Sequence, residues 1–280
     1  MIVRMSGAVL RGLMVALLIA TPALMLPDVA RAQSQIVVLV ALVAALLTTV
    51  EYHSNAPSIV EFRDAGPFNR MRFAALFVTV FFLSAVLKGK TDPTVLNQAL
   101  TAIGTILGHA IDFPYSPVRL VVLMLPQDVS VEMVRDVRTA AGISYAVSLF
   151  AMVVFVAMVR IGGWPIQKGA FNVWVNLPLF DPTTGGDVLR RLYRDARWNI
   201  AIGFLLPFVI PALVKSISHL INPVTLENPQ TMIWTITAWA FLPASMIMRG
   251  IALQRVAELI EMKRRAANRD TAEEVDYQAA

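Results

Sequence analysis

Six apolar runs, each almost free of charge, alternate along the chain with segments that collect the charged and turn-forming residues. They fall at roughly 9–26, 35–51, 72–88, 143–160, 198–216 and 231–249. A helix needs ~20 residues to cross ~30 Å of hydrocarbon, and a charge at the bilayer centre costs about 2.5–3.5 kcal/mol even on lenient scales. The pattern therefore predicts an all-α, polytopic transmembrane helical bundle of about six spans. Its membrane domain is 35–249, followed by 250–280 as a cytoplasmic helix and tail.

The first run admits two readings. Arg4 and Arg11 precede an apolar stretch, and Pro27-Asp28-Val29-Ala30-Arg31-Ala32 follows with small residues at Ala30 and Ala32. That order suits a cleavable signal peptide, which would leave five spans. The next run begins almost at once, so 1–34 equally reads as the first arm of a helical hairpin. Both readings orient the rest of the chain identically.

The loop charges set that orientation. With the N-terminus in the cytoplasm, the inner segments are 52–71, 161–197 and the tail 250–280, and the outer ones are 27–34, 89–142 and 217–230. Arg31, Lys88, Lys90, Arg119, Arg135, Arg138 and Lys215 fall outside, leaving the other seventeen of the 24 Lys and Arg inside. This is the positive-inside bias, and it places the C-terminus in the cytoplasm. Arg outnumbers Lys 19 to 5, as in a GC-rich bacterial genome. The expected location is thus a bacterial inner membrane, with the outer segments in the periplasm.

The periplasmic segment 89–142 is the largest outside the spans. Asp92-Pro93 reads as a helix start. Leu96, Leu100, Ile103, Leu107 and Ala110 recur at helical spacing and predict one apolar face. An amphipathic helix on the outer surface is the favoured reading and a re-entrant hairpin the alternative. Gly104 and Gly108, at GxxxG spacing, suggest close approach by a partner helix. On the inner side, loop 161–197 carries Trp164, Phe171, Trp174 and Phe180, suited to the headgroup zone. Asp187 is expected to cap a short helix through Arg197. The last span is expected to run past Arg249 to Arg265, helped by a Glu261–Arg265 pair, before a disordered acidic end at 270–280.

Composition narrows the function. A hydrophobic share of 57% against 15% charged residues, with mean hydropathy +0.64, is too apolar for a soluble domain. The chain has no Cys, which excludes disulfides, thiolate metal sites and a Cys nucleophile. A sequence pI near 9.8 follows from topology and calls for no nucleic acid.

Candidate chemistry is sparse. No ionisable residue sits near the middle of a span, where proton relays and ion-coupled carriers place one. Pro207, Pro211 and Pro243 are candidate helix hinges, since each removes a backbone donor and frees a carbonyl. His109 and His219 share the outer side, with nothing to set their distance. The densest polar stretch is 51–70, with Glu51, His53, Glu61, Arg63, Asp64 and Arg70; as an active site it would use Glu51 or His53 as base. Gly185-Gly186 before a helix start is a weak phosphate signal. Arg190, Arg191, Arg194 and Arg197, with Lys263, Arg264 and Arg265, are candidate contacts for anionic lipid. No residue is assigned as catalytic, and none as a ligand for a metal or cofactor. The leading expectation is a non-enzymatic accessory or assembly subunit that packs against partner membrane proteins. A transporter or channel component, with a path along the proline helices, is the alternative. An enzyme acting on lipid-linked substrates at the inner face is the lesser one.

Overall fold

The computed structural model describes residues 2–26, 31–165, 172–180, 187–217 and 226–279, without the side chains of 2–3, 31–34, 173–174 and 270–279. His219, Gly185-Gly186, Phe171 and most of the 27–32 motif lie outside the described residues, as does the side chain of Trp174. Every regular element among the described residues is helical. In order they are α1 (Ile2–Met25), α2 (Arg31–His53), α3 (Phe68–Lys88), α4 (Val95–Ile111), α5 (Pro117–Met124), α6 (Val131–Ile161), α7 (Val173–Asn176), α8 (Val188–Ile217) and α9 (Pro229–Ala279). Six of them, α1, α2, α3, α6, α8 and α9, are long and apolar enough to cross a membrane. They overlie the six apolar runs.

Helices α3, α6, α8 and α9 form the central bundle, with α4 and α5 packed at one end. Two cores run through it. One joins α3, α5, α6 and α9 through Val80, Leu83, Val121, Val137, Ile233 and Ile236. The other lies at the Arg-rich end, where Phe62, Phe68, Phe155 and Trp164 meet with ring centroids 4.7–6.2 Å apart. Helix α1 pairs with α2 and touches α3 and α9, whereas α2 packs on α1 alone among the described helices. The pair is tight at Gly12, where an added Cβ would meet the Ala45 carbonyl oxygen at 2.6 Å. The first two helices thus form a hairpin whose helix–helix contacts with the bundle come from α1, while Tyr52 of α2 hydrogen-bonds Asn69 of α3.

Several elements differ from expectation. Helix α4 starts at Val95 rather than Pro93, because the Thr94 side chain caps it by accepting from the Asn97 amide. The buried stripe of α4 is Asn97, Leu100, Gly104 and Gly108, whereas Leu96, Ile103 and Ile106 are exposed. Glycine lets the α4 backbone sit directly on α6, so the stripe with Gly104 and Gly108 turns inward and Leu96, Ile103 and Ile106 face out. The GxxxG pair is therefore used inside this chain: Gly108 and Gly142 are in backbone contact. The short helix expected before 198 is continuous with the fifth span as α8, since no breaker separates them and Asp187 accepts from the Leu189 amide. At the C-terminus, α9 continues through Ala279 where a disordered end was expected. Its Ala- and Glu-rich composition favours helix.

The three prolines are buried, Pro207 and Pro211 in α8 and Pro243 in α9, the helix packed against it. Pro211 has no N–H to offer the carbonyl of Pro207, four residues back. The Trp239 indole Nε1 donates to that carbonyl instead, at 3.1 Å. Gly203 lies against Pro243, with room for a Cβ only 2.7 Å from the Pro243 oxygen. Trp239→Phe keeps the ring on Tyr145 but removes the donor, and should cost about 1–3 kcal/mol of stability. Thermal unfolding in detergent measures it.

Candidate functional site

The site begins with one loop, 54–67, folded by Glu51 at the end of α2. The Glu51 carboxylate accepts from the amides of Ser58 (3.0 Å), Ile59 (3.0 Å) and Val60 (3.2 Å) and from the Ser58 hydroxyl. Two residues later the backbone turns at Phe62, whose φ of 52° is costly for a non-glycine residue. Burial of the Phe62 ring against Phe68, with its amide donating to the Asn176 carbonyl at 2.6 Å, holds that turn. The turn sends Phe62 into the aromatic core and leaves Glu61 facing α9. There Arg249 meets it with both arms, Nε to Oε2 at 2.5 Å and Nη2 to Oε1 at 2.6 Å. The Glu61 side chain is 8% exposed, so this is a nearly buried, bidentate ion pair.

Around the pair lies a cleft of about 1010 Å³ between the hairpin and the bundle. Its polar end holds Arg11, Tyr52, Asn69, Arg70, Arg72 and Arg249, with Glu61 as the one carboxylate. Its apolar wall is made by Leu10, Met14 and Val15 of α1 facing Phe73, Phe77 and Val78 of α3. Phe73 and Phe77 stack at 6.0 Å. Leu10 and Met14 remain exposed, so the cleft is open at its side. Four guanidiniums against one carboxylate leave it cationic. Arg72 stands out: it lies over the Phe68 ring at 5.3 Å, and its Nε is buried without a hydrogen-bond partner. A buried donor without an acceptor is costly, and an anion entering the cleft would supply one.

The structure sorts the residues singled out from sequence. Glu51 is committed to loop amides, His53 is exposed, and exposed Asp64 pairs with Arg63 at 3.1 Å. A carboxylate holding three amides and a hydroxyl is poorly placed to act as a base. His109 lies on α4 with Nδ1 2.8 Å from the Thr105 carbonyl oxygen. Of the basic runs, Arg191 covers the Phe180 ring at 4.7 Å, and Arg194 and Arg197 are exposed at the start of α8. Arg190 and Arg197 edge a shallow cavity beside Tyr193 and Gln254. On α9, Lys263 is exposed, Arg264 bonds Asp187 at 3.0 Å, and Arg265 forms the expected pair with Glu261. The Arg264 bond holds the Asp187 carboxyl below its usual range. Tyr193 donates to Glu261 at 3.0 Å, so α8 clasps the extension of α9. Pro207, Pro211 and Pro243 lie away from the cleft lining.

The cleft residues Arg11, Arg72 and Arg249 entered the sequence reading as topology charges, Arg11 also as part of the signal-peptide-like start, and none as a site residue. Their common signal is position: each sits at the end of a different apolar run, and those ends converge. Comparison with protein-family models, curated proteins and solved structures yielded no match to this chain.

Proposed function

We propose that this multi-pass membrane protein is a non-enzymatic accessory or assembly subunit that holds an anionic lipid in the cleft between its hairpin and its bundle. The observation that carries the reading is the cleft itself, with a cationic polar end, an apolar wall continuous with it, and an open side. A phosphate at the polar end would meet Arg72 and its neighbours through charge-assisted bonds, and acyl chains would lie along Phe73, Phe77 and the α1 wall. A volume at the top of the range for ligand pockets suits a large amphiphile. In this reading the membrane is a bacterial inner membrane, and the positive-inside bias supports a position of this end at its cytoplasmic leaflet, where anionic headgroups are concentrated.

The test is purification of the C-terminally tagged protein in mild detergent, with native mass spectrometry of the lipids and proteins it retains. The wild type should keep an anionic phospholipid, and Arg72→Gln should bind it about 10- to 100-fold more weakly, as for loss of a charged contact. Among the described residues Arg72 forms no ion pair, and the nearby Glu61 keeps its bond to Arg249, so this change leaves no orphaned carboxylate. Retention of zwitterionic and anionic lipids in equal measure, unchanged by Arg72→Gln, would refute the lipid site. A stoichiometric membrane-protein partner in the same spectra is the outcome expected of an accessory subunit, and its absence would count against that part.

A further inference from the structure

We infer that the headgroup extends beyond the cleft into a second cavity, and that the site selects lipids bearing a second anionic group, such as a diphosphate head, over single-phosphate diesters. The inference rests on the lipid reading above. The second cavity, of about 510 Å³, is lined by Arg4, Arg11, Tyr52, Asn55, Arg63 and Asp64. It shares Gly7, Arg11 and Tyr52 with the cleft, so the two adjoin along one edge. At that edge the Arg11 guanidinium lies over the Tyr52 ring at 4.7 Å and donates to the Gly7 carbonyl at 2.7 Å. One cation therefore faces both spaces. Gly7 places no side chain between them, and a Cβ there would come within 3.1 Å of the Arg11 Nη1.

The second cavity differs from the first in lining. It has no apolar wall for an acyl chain; most of its lining residues are polar or charged. Three guanidiniums there face a single carboxylate, Asp64, which is already paired with Arg63. Arg4 is held by neutral acceptors, donating to the Ser54 carbonyl at 2.5 Å and to Asn55 Oδ1 at 2.9 Å, whereas Arg63 donates to the same carbonyl at 2.6 Å and pairs with Asp64. The bonds of Arg4, like that of Arg11 to the Gly7 carbonyl, orient the cation without neutralising it, and a guanidinium with five N–H donors keeps some free. Pre-oriented cations beyond the first phosphate are what a second anion requires, whereas a neutral headgroup would gain little from them.

The experiment uses full-length protein in mild detergent and three ligands: phosphatidylglycerol, diacylglycerol pyrophosphate with the same acyl chains, and inorganic pyrophosphate. The wild type should bind the pyrophosphate lipid about 10- to 100-fold tighter than phosphatidylglycerol. Arg4→Gln with Arg63→Gln should erase that preference and leave phosphatidylglycerol binding in place, while Arg72→Gln weakens both lipids. Arg4→Gln alone, at an exposed position in α1, gives a reduced preference if the double variant does not fold. Equal affinity of the wild type for the two lipids, or a preference that survives loss of Arg4 and Arg63, overturns the extended headgroup while the lipid site stands. Failure to bind either lipid overturns the lipid site as well. Inorganic pyrophosphate binding as tightly as the lipid would assign both cavities to a free polyphosphate and overturn the proposal.

Discussion

Arg249→Met should destabilise the protein by about 3–5 kcal/mol, the largest effect expected of any single change at the Arg-rich end. The reason is the carboxylate left behind. Glu61 is 8% exposed on its side chain, and its two oxygens each receive one Arg249 bond. Removing the cation leaves a nearly buried carboxylate without the partner that holds both its oxygens, which costs more than the intact pair contributes. The effect should reverse when the charge is removed too: Glu61→Gln with Arg249→Met should recover most of the loss, since neutral replacements of a buried pair are often tolerated. Thermal unfolding of the single and double variants, in lipid-free detergent, measures the coupling. Equal destabilisation of the single and the double would show that Arg249 acts through packing and that the ion pair contributes nothing of its own.

Gly142→Ala should be the most damaging one-carbon change in the bundle, costing about 1–3 kcal/mol. An added Cβ would come within 2.5 Å of both the amide nitrogen and the Cα of Gly108. Those are backbone atoms of α4, which cannot rotate away, so the whole helix must shift. Gly108→Ala should behave alike, because its Cβ would meet the Arg138 carbonyl oxygen at 2.8 Å. Gly104→Ala is the contrast. Its nearest neighbours are side-chain atoms of Ile143 and Thr139, at 2.5–2.8 Å, and side chains can adjust. Unfolding midpoints should therefore fall further for Gly142→Ala and Gly108→Ala than for Gly104→Ala. The reverse order would mean that α4 is free to move off α6. The shift matters beyond stability, because Arg138 on α6 ties Asp112 at the end of α4 at 2.7 Å, and Lys90 ahead of it reaches Glu132 and Asp136. Partial burial lowers the Lys90 amine's pKa, but those two carboxylates outweigh it and raise the pKa above its ordinary value.

The apolar runs were sufficient to place six helices because crossing hydrocarbon leaves the backbone no other way to satisfy its hydrogen bonds. Loop charge divided the chain into two sides by a similarly local rule. The residues assigned together do meet in space: Arg4 bonds Asn55, Arg249 bonds Glu61, and Arg264 bonds Asp187 at one end, whereas Lys90 and Arg138 find their partners at the other. What sequence could not decide is which face of each helix turns inward. An apolar stripe alone does not mark the buried face of α4, which packs its glycines on α6 because the missing side chains allow close backbone approach, and leaves Leu96, Ile103 and Ile106 exposed. The cleft was hidden for a related reason. Arg11, Arg72 and Arg249 come from α1, α3 and α9, and each reads alone as an anchor at the end of a span. Only the stand-off of the α1–α2 hairpin from the bundle, together with the turn at Phe62 that aims Glu61 at Arg249, brings them to one cavity. That juxtaposition depends on contacts between residues as far apart as 188 positions, which no local pattern encodes.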